Sequence, residues 1–184
     1  MIRITVPERE LFDEETQEFI FMKEQTLELE HSLLSISKWE SKWHKSFLSG
    51  QDKTDEESLD YIRCMTINKN VNPLSYYALT NDNIRAINEY IDDPMTATVI
   101  NELPSEESAK GKSRDKITSE LIYYWMISFN IPVEFERWHI GRLLTLIRVC
   151  EIKNTPPDKT KRKTSMSQRR ALNEARRKKM GSKG

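Results

Sequence analysis

Two segments within the first 31 residues, Arg3–Val6 and Thr26–His31, alternate between apolar and polar positions, which is the period of a half-buried β-strand. Together with Glu18–Lys23, which is rich in aromatic and β-branched residues, they give three candidate strands. In the third strand, Leu27 and Leu29 would occupy the buried face, and His31 would lie at the surface where the strand ends. Bounded by turn residues such as Pro7, these segments predict a small antiparallel sheet with one face in water.

After these strands the apolar positions recur every three or four residues, which is the period of an α-helix. A first helix, Ser35–Leu48, would carry Trp39, Trp43 and Phe47 as one aromatic stripe. The stripe has two interpretations. It can dock the helix on the sheet, or it can form a surface that binds a partner.

Further helices follow along the chain. Thr54 and Glu57 have the spacing of a capping box, which predicts that a helix begins there. Asn81 or Asp82 would cap another helix. The segment Thr96–Ile100 has the β-branched composition of a strand.

The most apolar stretch is Ile117–Ile152, and we predict that it forms a buried helical hairpin. Its first helix, about Thr118–Phe129, is apolar almost all round, which indicates burial on more than one side. Ile131 cannot continue this helix because it precedes Pro132, whereas Pro132 suits the first turn of a second helix. The inward positions of that second helix have helical spacing: Ile140, Leu143, Leu144 and Ile147.

These patterns predict an α+β fold that is mostly α: a small N-terminal antiparallel sheet followed by a helical domain with a central helical hairpin. Two segments hold almost nothing to bury, Glu102–Lys116 and Asn154–Ser165, and we expect both to be mobile. We therefore divide the chain into an α+β body at residues 1–152, with a loop at about 102–116, and a basic linker and C-terminal helix or tail at residues 153–184.

Charge is distributed unevenly, although the 29 Lys and Arg balance the 29 Asp and Glu. The segment Lys153–Gly184 holds 12 of the bases and 2 of the acids, so it carries +10 and the rest carries −10. Such a tail can bind nucleic acid, an acidic partner or another copy of the chain. It contains no aromatic residue to stack on bases, which argues against recognition of single strands. The predicted partner-binding residues are Trp39, Trp43, Lys161, Arg162, Lys163, Arg169, Arg170, Arg176 and Arg177.

The sequence contains none of the short motifs that mark common catalytic or nucleotide-binding sites. The three histidines lie in separate elements without metal-ligand spacing, and Cys64 and Cys150 fit reduced, buried thiols. We expect no catalytic, cofactor or metal site. No apolar run reaches the roughly 18 residues of a membrane span. The alternative use of the central stretch is a ligand site lined by Trp125, Trp138 and His139.

Three stretches are distinctive together: ISKWESKWHKSF at Ile36–Phe47, WHIGRLLTLIRVCEIKNTPP at Trp138–Pro157, and MSQRRALNEARRKKMGSKG at Met166–Gly184. They resemble the tail assembly chaperones of long-tailed bacteriophages, and the resemblance extends over most of the chain and is weakest in the middle. It implies a protein without enzymatic activity that coats the helical tape measure protein, keeps it soluble and helps to recruit tail tube subunits.

The resemblance also implies a place of action. The protein would work in the cytoplasm of the infected bacterial host and would be absent from the finished virion. In many such phages the gene yields a second, longer product by ribosomal frameshifting. Two alternatives remain open: a structural tail or neck component of the virion, and a nucleic-acid-binding regulator that acts through the basic tail.

Overall fold

The computed structural model describes residues 1–13, 17–50, 52–98 and 116–154. The account below concerns the compact unit Met1–Ile147 and, separately, the end of the last helix, Arg148–Asn154. The predicted mobile segments lie outside the described residues except for Lys116 and Asn154. The seven predicted partner-binding bases of the tail lie outside them as well.

Four strands form two antiparallel pairs: β1 (Ile2–Val6) with β4 (Gln25–Leu29), and β2 (Arg9–Asp13) with β3 (Glu18–Met22). Val6 pairs with Gln25 and Arg9 pairs with Met22, so one register continues from the first pair into the second. The three predicted strands are confirmed, and β2 was not predicted. Its two apolar residues, Leu11 and Phe12, are adjacent and therefore do not alternate.

The β1–β4 pair covers the core with one face. Ile4, Val6, Leu27 and Leu29 are all buried there, as the alternation predicts. His31, in contrast, is only 4% exposed, so its predicted surface position is wrong. The chain continues from β4 directly into a helix, and this continuation carries His31 inward instead of out to solvent.

The described residues form five α-helices and two 3-10 turns. The helices are α1 (Leu33–Trp43), α2 (Asp55–Met65), α3 (Asn81–Asp92), α4 (Ser119–Ser128) and α5 (Ile140–Asn154). The 3-10 turns are Pro73–Tyr76 and Val133–Arg137. The predicted fold class, α+β and mostly α with the strands first, is confirmed. No helix in the described ranges is long and apolar enough to cross a membrane.

Side-chain caps set where the first three helices begin. The capping box of Thr54 and Glu57 opens α2 as predicted, with each side chain bonded to the other residue's backbone N–H. The cap of α3 is Thr80, not Asn81 or Asp82, because Thr80 accepts the hydrogen bond from the backbone of Asn83. Ser32 caps α1, so α1 begins two residues before the predicted start. Thr96–Thr98, the described part of the strand predicted at Thr96–Ile100, does not form a strand.

The central stretch differs from the prediction at its second helix, which begins at Ile140 and not at Pro132. Pro132 precedes the short 3-10 turn, and Trp138 then takes an extended conformation. The later start of this helix is caused by its contact with the residues that follow β4. The Ile140 N–H donates to the His31 carbonyl at 2.8 Å, and His139 forms a β-bridge with Ser32. An extended backbone is needed for that bridge, so the helix starts only after it.

The prediction that the first helix of the central stretch, α4, is buried on more than one side is wrong. In α4, Ile122 and Met126 are buried, whereas Tyr124 is 62% exposed and Ile127 is 75% exposed. One stripe of α4 packs against α1, and the opposite face is open in the described part of the chain.

Helix α1 is the element on which the helical part is assembled, and it contacts both α2 and α4. Trp39 is buried, and its indole N–H donates to the Glu57 carbonyl of α2 at 2.9 Å. The buried Glu40 carboxylate accepts from the Phe47 N–H at 2.8 Å and from the Ser119 N–H at 2.7 Å. Thr118 offers no side-chain cap to α4, so Glu40 supplies that acceptor from a different helix.

Candidate functional site

An open groove with a largely apolar lining lies between α2 and α3 in the described part of the chain. Its volume is about 620 Å³, within the roughly 300–1,000 Å³ that is usual for binding pockets. Apolar side chains from three segments line it: Leu59 and Ile62 of α2, Tyr77 just after the first 3-10 turn, and Ile84, Ile87 and Ile91 of α3. We call this depression the α2–α3 groove.

Helical spacing explains why these side chains face one another. Leu59 and Ile62 are three residues apart on α2, and Ile84, Ile87 and Ile91 recur at i, i+3 and i+7 on α3. Ile87 is the buried member of its set and joins the core, whereas Ile84 is 41% exposed. The apolar stripe of α3 is thus wider than the core requires, and its outer edge forms a wall of the groove.

Aromatic rings form the deep end of the groove. Phe47 and Tyr61 are stacked with their centroids 3.9 Å apart. The Lys53 ammonium lies 4.2 Å from the centroid of Phe47, a distance that permits a cation–π interaction. Burial lowers the pKa of Lys53, although the nearby Glu57 carboxylate opposes this change. The groove therefore has an apolar floor and one partly desolvated cation at this end.

Tyr77 stands at the outer edge of the groove and is 60% exposed. The Arg63 guanidinium lies between two rings, 5.4 Å from the centroid of Tyr76 and 5.3 Å from that of Tyr77. The Nε atom of Arg63 is buried and has no hydrogen-bond partner among the described residues. Arg63 thus lies against two ring faces, where cation–π attraction can act on it, and its charge also lowers the pKa of Asp60.

A buried polar cluster lies beneath the groove and joins it to the end of the sheet. The Tyr61 hydroxyl is 2.5 Å from Nδ1 of His31, and the His31 and His139 rings meet edge to face at 5.0 Å. His139 Nε2 is 3.1 Å from the Tyr90 carbonyl oxygen, to which it can donate, and His139 Nδ1 accepts from the Gly141 N–H. Each of these two histidines therefore has a hydrogen-bond partner within the protein.

The protonation of these histidines agrees with a structural role. Burial, followed by the proximity of His139 and Lys53, lowers the pKa of His31 to about 3. Burial is also the main cause that lowers the pKa of His139. Both rings are neutral at pH 7, and the described residues contain no group of three or more side chains suited to hold a metal ion.

The two tryptophans predicted to bind a partner occupy different environments. Trp39 is 1% exposed, so it belongs to the core and offers no surface in this fold. Trp43 is half-buried, and its indole N–H donates to Asp60 at 2.9 Å. Lys42 binds the other carboxylate oxygen of Asp60 at 2.6 Å. Burial alone would raise the pKa of Asp60, but these two hydrogen bonds and the nearby Arg63 lower it.

The alternative ligand site in the central stretch has no support in the positions of its members. The rings of Trp138 and Phe135 are stacked with their centroids 3.9 Å apart. The Arg142 guanidinium lies over the Trp138 ring, 4.5 Å from the ring centroid. His139 is turned inward toward the backbone of Tyr90. Trp125 is half-buried and packs against the core. All three residues have packing roles that explain their positions.

The groove could not be recognised as a site from the sequence. In the sequence its residues have the pattern of ordinary core positions. A helical pattern shows which side chains share a face of the helix, but it does not show how far that face is from the neighbouring helix. The one available signal was the surplus of apolar residues on α3, where Ile84 continues the stripe beyond Ile87 and Tyr90.

No protein-family model, curated protein or solved structure matches this chain. The groove must therefore be interpreted from its own geometry, together with the resemblance carried by the three distinctive sequence stretches.

Proposed function

We propose that this protein is a tail assembly chaperone of a long-tailed bacteriophage, which binds the tape measure protein, keeps it soluble and helps to recruit tail tube subunits. It acts by binding and not by catalysis. The observation that carries the proposal is the open α2–α3 groove with its apolar lining. The client is inferred from the resemblance of the sequence to this class of chaperone.

A groove between two helices suits a helical client. An amphipathic helix presents apolar side chains at i, i+3, i+4 and i+7, and such a row can enter a groove while the rest of the helix stays outside. The exposed edges of Tyr77 and Ile84 would meet the client first, and Leu59 and Ile62 would form the deeper contact. A long tape measure helix offers many such rows, so many copies of the chaperone can coat it.

Coating explains solubility in physical terms. An isolated amphipathic helix exposes an apolar stripe that promotes association with other helices. Covering it removes apolar surface from water, which is worth roughly 25 cal/mol per Å². The contact is noncovalent and the groove is open, so tail tube subunits can displace the chaperone as the tail assembles.

The basic segment Lys153–Gly184, with a charge of +10, supplies a second contact to an acidic tail subunit. Charge contacts on a surface weaken as salt screens them, over a Debye length of about 10 Å at 0.1 M salt. A chain that ends at Lys153, without Asn154–Gly184, should therefore still bind the tape measure protein but recruit tail tube subunits more weakly, and the difference should be largest at low salt.

Co-expression with the tape measure protein tests the proposal. We expect the wild-type chain to raise the soluble fraction of that protein and to co-purify with it. The paired changes Tyr77→Ser and Ile84→Glu alter exposed groove positions and should abolish this effect while the chain stays folded by circular dichroism. The matched control is Ile127→Glu, which adds the same charge at a 75%-exposed position on α4, away from the groove lining.

The place of action gives an independent test. We expect the protein in the cytoplasm of infected cells and not in purified particles. If mass spectrometry finds it in particles at a stoichiometric level, and the wild-type chain does not solubilise the tape measure protein, the chaperone proposal fails. A structural tail or neck component would then be the better interpretation.

A further inference from the structure

The outer edge of β3 has no strand beside it in the described part of the chain. β3 pairs with β2 on one side, and no backbone hydrogen bond from another described element reaches its other side. Such an edge presents a row of free N–H and C=O groups, which can pair with another strand. Proteins usually protect such edges with charged residues, bulges or a covering element.

The two strands of this hairpin differ in protection. β2 begins with the charged residues Arg9 and Glu10. β3 has the sequence Glu-Phe-Ile-Phe-Met, with a single charge at its start. Met22 is buried, but the other three apolar side chains of β3 are open to solvent: Phe19 is 71% exposed, Phe21 is 57% exposed and Ile20 is 36% exposed. The unprotected edge is therefore the one on β3.

The sequence of that edge is symmetric. Phe19-Ile20-Phe21 reads the same in both directions, so β3 is complementary to an antiparallel copy of itself. When the pairing is centred on Ile20, each Phe19 lies opposite Phe21 of the second copy, and the two Ile20 residues face each other on the axis. Directly opposite aromatic pairs stabilise antiparallel strands. No pair of like charges is placed opposite in this register.

We propose that two copies of this chain associate through their β3 edges, with a twofold axis at Ile20, to form one four-stranded antiparallel sheet. Pairing of identical patches is what a twofold axis requires. The partner is a second copy because the edge is self-complementary about its own central residue. This inference does not depend on the proposed function.

The pairing also explains an exposed aromatic surface. Phe12 and Phe19 are directly paired in the hairpin with ring centroids 5.2 Å apart, and Phe21 lies on the same face as both. A two-stranded hairpin is marginally stable in water, whereas more strands with a shared apolar face are stable. In the four-stranded sheet the phenylalanine faces of the two copies are continuous, so each copy covers part of the other's aromatic surface.

A charge-swap experiment on the full chain tests the axis. Analytical ultracentrifugation of the wild type, from low to high micromolar concentration, should show a monomer–dimer equilibrium. Ile20→Lys alone and Ile20→Glu alone each place like charges on the axis, so each should be monomeric over the same range. An equimolar mixture of the two variants should dimerise again. The matched control Ile127→Lys should dimerise as the wild type does.

A cross-link fixes the register. Residues directly opposite in an antiparallel pair have Cα atoms about 4.5–5.5 Å apart, within the range of about 4.4–6.8 Å that a disulfide spans. Ile20→Cys should therefore give a covalent dimer under mild oxidation, at least tenfold faster than Phe12→Cys on the other strand. The wild type, which holds Cys64 and Cys150, measures the background.

The results against the proposal are specific. A wild type that stays monomeric at every concentration overturns it. So does a dimer that persists in both single-charge variants, because the interface then lies elsewhere. A mixture that remains monomeric, together with Ile20→Cys that cross-links no faster than Phe12→Cys, shows that Ile20 is not on a twofold axis and overturns it as well.

Discussion

Helices α1 and α4 show opposite relations between composition and burial. α1 has the sequence LLSISKWESKW, in which polar residues outnumber apolar ones, and yet Leu33, Ile36 and Trp39 are all buried. α4 has the sequence SELIYYWMIS and is far more apolar, but it leaves Ile127 75% exposed. The more polar helix is the more central one.

The difference arises from the neighbours of each helix. α1 lies against both α2 and α4, whereas the packing of α4 is concentrated on α1. The polar groups of α1 are bound where they are buried: Glu40 accepts two backbone N–H groups, and the Trp39 indole donates to α2. How much of a helix is buried therefore depends on how many other elements cover it. A high apolar content makes burial possible but does not cause it.

The largest effect should come from Trp39. Trp39→Ala removes a fully buried indole and its hydrogen bond to Glu57, and it should lower the free energy of unfolding by about 3–5 kcal/mol. Trp39→Phe keeps much of the volume but loses the hydrogen bond, so it should cost less. Urea unfolding followed by circular dichroism measures both. A loss below about 1 kcal/mol for Trp39→Ala would mean that α1 is not the centre of the core.

Two adjacent leucines of α5 extend the comparison to a third helix. Leu143 is fully buried and Leu144 is half-buried, although both belong to the predicted inward set. Leu143→Ala should cost about 2–5 kcal/mol, and Leu144→Ala should cost clearly less because its cavity opens to solvent. The same unfolding measurement applies. Equal losses would show that both leucines are covered to the same degree.

The Glu40 carboxylate is the polar link between α1 and α4. Glu40→Leu leaves the Phe47 and Ser119 N–H groups without their acceptor, and each unsatisfied buried group costs about 1–3 kcal/mol. Glu40→Gln keeps one acceptor oxygen and should lose about half as much. If hydrogen exchange at Ser119 and the free energy of unfolding are the same in wild type and Glu40→Leu, α4 does not depend on this cap.

Much of the fold could be predicted from local patterns. Alternation identified β1 and β4, aromatic and β-branched composition identified β3, and the Thr54–Glu57 pair identified the start of α2, because these signals depend on residues close in sequence. The start of α5 could not be predicted in this way. It is set by a bridge between Ser32 and His139, which are far apart in the chain.

The candidate site was harder to predict for the same reason. Trp39 and Trp43 share a helix face, so the sequence treats them alike, but only the position of α2 decides that Trp39 is sealed in the core. Ile84 and Ile87 likewise share a face of α3, and only the distance to α2 decides that one is core and the other is groove wall. Patterns define faces, and tertiary contacts define what each face meets.

The smallest expected change in stability comes from α4 itself. It tests the contrast between α1 and α4 most directly, because it compares two neighbouring residues on one helix. Met126 is 2% exposed and Ile127 is 75% exposed, although both are apolar and adjacent on α4. Ile127→Ser should change the free energy of unfolding by less than about 0.5 kcal/mol, since its side chain already contacts water. Met126→Ala should cost about 2–5 kcal/mol, since it leaves a cavity against α1. If Ile127→Ser costs as much as Met126→Ala, α4 is covered on both sides in solution. The apolar content of α4 would then have indicated its burial correctly, and the contrast with α1 would disappear.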